Sequence, residues 1–394
     1  MIELVLFSFF AVNTFYVLVL SIGGHFYRRK QVPESTSFKK IAVFVPCYKE
    51  DKIIAHTAKQ LLTQNYPKAY FDVIVLADSL KADTLEELKK LDITLIPIFL
   101  EKSMKSRSIN YAVSVLPHEY DIAIVVDADN ILAPGFLQDI NNLNQAGIDI
   151  VQTQRVAKNS GTSMAVLDGI SEAINNHLFR QGSNALGLSS ALIGSGMAFP
   201  YHILKEELAK IDTPVEDKAL QIALVEKGYY IHYRKGTLVF DEKVESPEAY
   251  KNQRRRWIAG QYQMLVKHFF NGIRLLFKGN INYFNIAVCH NLFPSRINSL
   301  ILLFILAPVL TFVFYASPVI YIRWWAVLLL YIAALLLAVP RSYYSRKMLQ
   351  AIFLMPAIVL KTIQAILQSK NANKQFIHTE HNTTDIDSNL IHKP

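Results

Sequence analysis

Apolar and polar positions divide the chain into three regimes. The first consists of long, nearly uninterrupted apolar stretches: Leu4 to Ile22, Leu300 to Phe314 and Trp324 to Val339. Met348 to Leu367 is a poorer fourth, broken by Pro356, Lys361 and two Gln. A helix needs about 20 mainly apolar residues to cross a bilayer, so these segments read as membrane spans. Glu3 stands where a leader peptide would be basic, and no small-x-small site follows, so the first reads as a signal anchor. The second regime, from Phe38 to about Asp241, alternates short Val/Ile-rich runs with amphipathic stretches. Ile41–Val45, Val73–Leu76, Ile93–Phe99 and Ile122–Val126 read as strands; 51–64, 84–91 and 106–115 have helical spacing. Continuously apolar strands are covered on both faces, as in a parallel sheet. The pattern therefore predicts βαβαβαβ, a doubly wound α/β nucleotide-binding half-domain. A strand at 148–153, a helix at 163–180 and a helix opened by Thr213-Pro-Val-Glu216 follow, giving a second half of more α+β character. The third regime is a basic amphipathic helix starting at Ser246-Pro247, then an interfacial helix at 283–293 closed by Pro294.

These regimes divide the chain into an anchor (1–24), a catalytic domain (25–246), interfacial helices (247–296), C-terminal spans (297–368) and a polar tail (369–394). A hydrophobic share of 52% with only 19% charged residues suits a membrane protein better than a soluble enzyme. Arg28-Arg-Lys30 and Arg341, Arg346 and Lys347 are basic flanks, which face the cytoplasm by the positive-inside rule. The expected location is the inner or plasma membrane with the middle domain cytoplasmic. The net charge of +9 sits mostly at these flanks and at residues 253–256, with no nucleic-acid module. Lipid headgroups and a diphosphate are the expected anionic partners, and nucleic acid is not. Cys47 and Cys289 make neither a disulfide framework nor a zinc site.

Four short clusters carry chemistry: Val45-Pro-Cys-Tyr-Lys-Glu50, Asp127-Ala-Asp129, Val215-Glu-Asp217 and Gln253-Arg-Arg-Arg-Trp257. In doubly wound sheets, ligands bind beyond the carboxyl ends of the strands. Pro46, Tyr48, Asp78 and Asp127/Asp129 all fall there, and no G-x-G-x-x-G turn supports a dehydrogenase. Two carboxylates one residue apart suit Mg2+ or Mn2+ shared with phosphate oxygens, although a bare D-x-D is often only a polar strand end. Thr213 as N-cap would make Glu216 part of a capping box and leave Asp217 over, so Asp217 is the expected general base. Gln253, Arg256 and Trp257 share a helical face, where a guanidinium binds phosphate and an indole stacks on sugar. Arg254 and Arg255 point elsewhere, toward headgroups. Lys102, Lys105 and Arg107 are read either as phosphate ligands or as a solvated face. His177, His202 and His232 are expected in ordinary roles.

In this order, from Ile41 to Trp257, the motifs resemble glycosyltransferase family two. The resemblance is to its membrane-integrated branch of cellulose, chitin and hyaluronan synthases and ceramide glucosyltransferase. It implies a GT-A fold, a UDP- or GDP-sugar donor, with UDP favoured, and an inverting single displacement. It implies nucleotide or donor contacts from Pro46, Tyr48, Glu50, Asp78, Lys105, Asp127, Gln253 and Arg256. Asp127 and Asp129 would hold the metal, and Asp217 with Glu216 would form the catalytic acidic pair. The turn Gly194-Ser-Gly196 and Trp257 would bound a glycan or lipid acceptor. Phe376-Ile-His-Thr379 is similar to a tail motif the family keeps near the site. Secreting synthases of this family thread product through more membrane helices than this chain offers. The expected function is a membrane-bound glycosyltransferase, alone or as an oligomer; the alternative is a non-catalytic nucleotide-sugar or glycan-binding subunit of an export complex.

Overall fold

The computed structural model describes residues 1–101, 103–117, 119–344, 348, 360–361, 363–364, 381 and 383–387. Lys102, Arg346, Lys347, most of the fourth apolar segment and the Phe376–Thr379 motif lie outside them. The Val/Ile runs form β1 (Ile41–Tyr48), β2 (Phe71–Asp78), β3 (Thr94–Ile98) and β4 (Ile122–Val125), all parallel in the order β3-β2-β1-β4. Helices α2 (Ile54–Leu61), α3 (Ala82–Leu88) and α4 (Lys105–Val115) connect them. This is the doubly wound half predicted from the pattern. β1 continues three residues past the expected end, through Pro46. The Phe44 carbonyl accepts from Val126 N–H on the β4 side. Pro46 has the same parity, so its missing N–H would face the gap left where β4 has ended, at no cost to the ladder.

The sheet continues as β4-β7-β6-β8-β5, completing eight strands. β7 (Met197–Pro200) is antiparallel to both β4 and β6 (Val151–Ala157). β8 (His232–Asp241) is parallel to β6, and β5 (Ile131–Leu132) is antiparallel to β8. One apolar layer, with Val43, Val75, Ile124, Phe136 and Ile140, lies under α2, α3 and α5 (Phe136–Gln145). The opposite layer includes Phe44, Leu76, Ile109 and Leu204. It is covered by α4, α7 (Tyr201–Leu208) and α8 (Glu216–Glu226). Because β1 lies between β2 and β4, the connections run to opposite sides of it, which opens a crevice at the strands' carboxyl ends.

Beyond the sheet, α6 (Ser163–Asn175) continues through a π-helical stretch, Asn176–Gly182, into Ser183–Ala185. The long α9 spans Pro247–Phe277, with Ser246 as its N-cap, as its sequence predicts. Ile281–Tyr283, π-helical Phe284–Cys289 and His290–Leu292 follow as α10. Its Tyr283, Ile286 and Ala287 join the inner core, so α10 is a packed element of the domain and not simply an interfacial helix.

Among the described residues, three helices are long and apolar enough to cross a membrane: α1 (Ile2–His25), α11 (Arg296–Val313) and α12 (Pro318–Leu337). They share a core of Phe10, Val17, Leu303, Trp324 and Tyr331. α1 is also joined to the catalytic domain. His177 meets the Ser21 carbonyl at 2.8 Å, and a Cβ added at Gly182 would lie 2.2 Å from the Leu20 carbonyl oxygen. Only a glycine permits that backbone approach, and the obstacle is main chain, which cannot swing aside. Gly182→Ala should therefore destabilise the detergent-solubilised protein by about 1–3 kcal/mol, measured as a lower midpoint in thermal or denaturant unfolding.

Candidate active site

At the strand ends the chain turns sharply. Lys49 and Ser79 both adopt left-handed φ, at 58° and 57°, so Glu50 and Asp78 are set at the rim by backbone geometry rarely adopted by side-chain-bearing residues. Asp78 is only 4% exposed. Its Oδ1 accepts from Ser79 Oγ at 2.9 Å, whereas Oδ2 has no hydrogen-bond partner among the described residues. A buried acceptor of this kind costs stability unless a donor reaches it.

One cavity of about 660 Å3 is lined by Pro46, Tyr48, Glu50, Asp78, Lys105, Asp127, Asp129, Gly194, Glu216, Asp217, Gln253, Arg256 and Trp257. Every site residue expected from the sequence is therefore on its wall except Gly196. Lys105 is central. Its ammonium donates to Asp127 Oδ1 and to the Gly194 carbonyl, each at 2.5 Å, and lies 3.8 Å from Glu216 Oε1. Burial opposes its charge, but Asp127 and Glu216 outweigh that effect and raise its pKa. Burial in turn raises the Glu216 carboxyl to about 7, with Lys105 pulling it down and Asp217 pushing it up.

Asp127 and Asp129 follow β4 in a tight turn. Asp129 is 6% exposed, and its Oδ2 accepts from Asn130 Nδ2 and the Glu242 N–H. Burial raises its pKa, as do the neighbouring Asp241 and Asp127, while His381 opposes the rise. Crowded carboxylates whose anionic forms repel one another fit a hard divalent cation. The described residues contain no group of three His, Cys, Asp or Glu able to hold an ion alone.

Several residues not singled out in the sequence hold this end together. Ser195 Oγ accepts from the Asp127 N–H at 3.0 Å and donates to Asn130 Oδ1 at 2.5 Å. Lys158, 1% exposed, donates to the Asp129 carbonyl at 2.6 Å. His381 reaches the cavity from the tail, its Nδ1 2.8 Å from Glu50 Oε1. Burial opposes the imidazolium, but Asp129, Glu50 and Glu242 outweigh it and raise His381 to about 10. Only Ser195, inside the Gly-Ser-Gly turn, had a local signal; the others are recruited over long sequence distances.

The structure corrects three expectations and decides a fourth. α8 begins at Glu216 with Val215 as its cap residue and no side-chain cap. Thr213 Oγ1 instead accepts weakly from the Val215 N–H, at 3.5 Å, so Glu216 is not the distal member of a capping box and faces Lys105. Gly196 serves packing: a Cβ there would lie 2.4 Å from Thr153 Oγ1 and 2.5 Å from Val239 Cγ2. Of the two readings left open at the start of α4, Arg107 takes the solvated one, pairing with Asp212 at 2.7 and 2.8 Å, while Lys105 lies on the cavity wall. Arg254 turns into the cavity, its guanidinium 4.6 Å from the Tyr250 ring and 4.4 Å from Trp257. The face of Trp257 expected to be open to sugar is thus partly covered by a cation.

Helix α9 approaches the α8 start at Gly260, where a Cβ would lie 2.4 Å from Val215 Cγ1. Gln261 Nε2 donates to the His290 and Phe293 carbonyls at 3.1 and 2.8 Å, tying α9 to the end of α10. Burial lowers the Arg256 pKa while Glu216 and Asp127 act to raise it, so its guanidinium shares their field.

This sheet, with acidic residues and cations gathered at its switch point, has the GT-A fold. Residues 39–260 match the family described as glycosyltransferase like family 2, and the chain belongs to that family. Over 244 residues it is 25% identical to a probable glycosyltransferase, YdaM, of Bacillus subtilis (strain 168). That match covers 58% of this chain and 56% of the relative, so the chain spans only about half the relative's length. The fold is similar to that of the mannosyltransferase PcManGT from Pyrobaculum calidifontis, solved in complex with GDP-Man and Mn2+. The TM-score is 0.53 at 16% identity, covering 86% of this chain and 97% of that one.

Because Val215 is short and β-branched, it cannot fold away from an added methyl group. Gly260→Ala should shift α9 and with it Arg256 and Trp257. We expect turnover to fall about tenfold or more while far-UV circular dichroism stays unchanged.

Proposed function

We propose that the enzyme is an inverting glycosyltransferase that moves a sugar from a UDP- or GDP-sugar to a hydroxyl of a glycan or lipid-linked acceptor in a metal-dependent single displacement. The observation that carries this reading is the convergence of Asp127, Asp129, Lys105, Asp217, Arg256 and Trp257 on one cavity at the switch point. The GDP-Man and Mn2+ of the Pyrobaculum mannosyltransferase complex suit such a donor and cation.

Asp78 Oδ2, the buried acceptor without a donor, receives an N–H or O–H of the base or ribose, beside Tyr48 and Glu50. Lys105 and Arg256 offset the charge of the diphosphate. Asp127 and Asp129 would hold Mg2+ or Mn2+, which when bound would supply positive charge to the diphosphate. Asp217 takes the proton of the acceptor hydroxyl as that oxygen forms its bond to the sugar's anomeric carbon from the face opposite the diphosphate. The carbon–oxygen bond to the diphosphate breaks with its electron pair leaving on the nucleotide, and the anomeric configuration inverts. Glu216 orients Lys105, and Gln253 and Gly194 complete the donor and acceptor walls. α1, α11 and α12 hold the domain at the cytoplasmic face of the membrane.

Asp217→Asn should reduce nucleotide diphosphate release by about 10²–10⁴-fold in purified membranes, and unchanged turnover would remove the base assignment. Asp78→Ala should raise the donor KM about tenfold with a smaller effect on kcat, read from initial rates over a donor series. Glu216 gains a proton as pH falls through about 7, losing the anion beside Lys105. The enzyme's kcat/KM should therefore drop on the acid side of that value, and a pH profile of Glu216→Gln should lack the inflection.

A further inference from the structure

The cavity does not end at Asp217 and Trp257. Its wall continues to Asn13, Tyr16 and Val17 of α1, Arg296 and Ile297 of α11 and Tyr331 of α12. One face of α6, formed by Asp168, Ser171, Glu172 and Asn175, lines this inner end. Those positions are spaced i, i+3, i+4 and i+7, so a single helical stripe presents them together.

Most charges here neutralise one another. Glu172 meets Arg155 at 3.0 Å and Arg180 at 2.9 Å, and Asp241 meets Lys243 at 2.5 Å. Three cations are less completely neutralised, Arg254 by one long ion pair and Arg296 and Lys218 by none among the described residues. Arg254 reaches Asp168 only at 3.4 Å, and its buried Nε has no hydrogen-bond partner among the described residues. Its side chain is 11% exposed. Arg296 donates to the Ser171 carbonyl and hydroxyl at 2.9 and 3.1 Å, oxygens without formal charge. Lys218, beside Asp217 in sequence, lines the same cavity. Neither Arg296 nor Lys218 has a carboxylate within ion-pair distance among the described residues.

Buried charges are ordinarily paired, and Arg296 stands at the first turn of α11, where the helix dipole adds to its positive charge. Asp168 and Ser171 are one turn apart, so the guanidinium groups of Arg254 and Arg296 converge on one patch of α6. That patch adjoins three helices apolar enough to lie in lipid.

We propose that this inner end binds the phosphate of a membrane lipid, and that the acceptor is a lipid phosphate carrying a free hydroxyl on its headgroup. The proposal rests on the transfer reading above and names its acceptor class. Arg254 and Arg296 hold the phosphate, Lys218 adds to the field, and the chains pass along α1, α11 and α12. The headgroup hydroxyl extends past Trp257 to Asp217. Its O–H bond breaks with the proton going to Asp217, its oxygen bonds the anomeric carbon, and the nucleotide diphosphate leaves with the electron pair of the broken bond.

The test uses the full chain in phosphatidylcholine nanodiscs, titrated with fluorescent phosphatidylglycerol, which bears both a phosphate and free hydroxyls, in EDTA and without donor. We expect one saturable site per protomer, weakened about tenfold in Arg296→Gln and in Arg254→Gln, and retained in Arg296→Lys and in the surface control Arg28→Gln. Unlabelled phosphatidylglycerol should compete, while diacylglycerol, inorganic phosphate and a uronic-acid oligosaccharide should not. Equal binding by both Gln variants would overturn the proposal. So would full competition by inorganic phosphate, which marks a simple anion site, or by the oligosaccharide, which marks an acidic glycan acceptor. Because binding is read without donor or metal, it separates from catalysis. If the lipid binds as expected but no donor yields nucleotide release, the transfer reading fails and the lipid site stands.

Discussion

A single ammonium ties the walls of the cavity together. Lys105 stands at the start of α4, yet it touches the turn after β4 through Asp127, the glycine turn before β7 through Gly194, and the start of α8 through Glu216. These segments come from distant parts of the chain; the β4–β7 ladder joins the first two, where the Gly196 N–H donates to the Val125 carbonyl, and Lys105 brings the start of α8 to them. Desolvating a lone ammonium is costly, so it needs oxygen ligands, and three segments provide them. The geometry of the acidic turn and that of the acidic helix start are therefore not independent. Whatever shifts one carboxylate shifts the electrostatic setting of the others.

The second organising contact is steric. At Gly260 the long helix α9 lies against Val215 closely enough that a β-carbon would collide. That approach brings Arg256 into the field of Glu216 and Asp127. Gln261 then fixes the far side of α9 to the end of α10. The acidic turn, the start of α8 and the basic face of α9 thus meet through one charged hub and one close-packed glycine, while the sheet supplies the rigid base beneath them.

The parallel half of the fold was readable because burial on both faces leaves continuous Val/Ile runs at β1, β2 and β4. The placement of Asp127 and Asp129 followed from it, since residues just past a buried strand must emerge at its end. Local rules did worse. The capping-box reading of Thr213 and Glu216 failed because Glu216 faces a buried cation at 3.8 Å, a demand that sequence spacing does not carry. Arg254 was sent toward lipid by helical phase alone, but a long side chain can fold back between Tyr250 and Trp257 and gain two ring contacts. His381 could not be placed from sequence, because it enters the site 331 positions after its partner Glu50. Neighbouring glycines proved unequal: Gly194 borders the cavity while Gly196 makes room for Thr153 and Val239.

The joint between α1 and the π-helical continuation of α6 has a practical meaning. Because Asn13 and Tyr16 contribute to the cavity wall, and Gly182 lies against Leu20, the N-terminal helix builds part of the cavity as well as being apolar enough to cross a membrane. Exchanging it for an unrelated hydrophobic segment of equal length would keep the protein at the bilayer yet leave one side of its reaction chamber unbuilt. Trimming it away in search of a soluble catalytic fragment would unroof the same chamber.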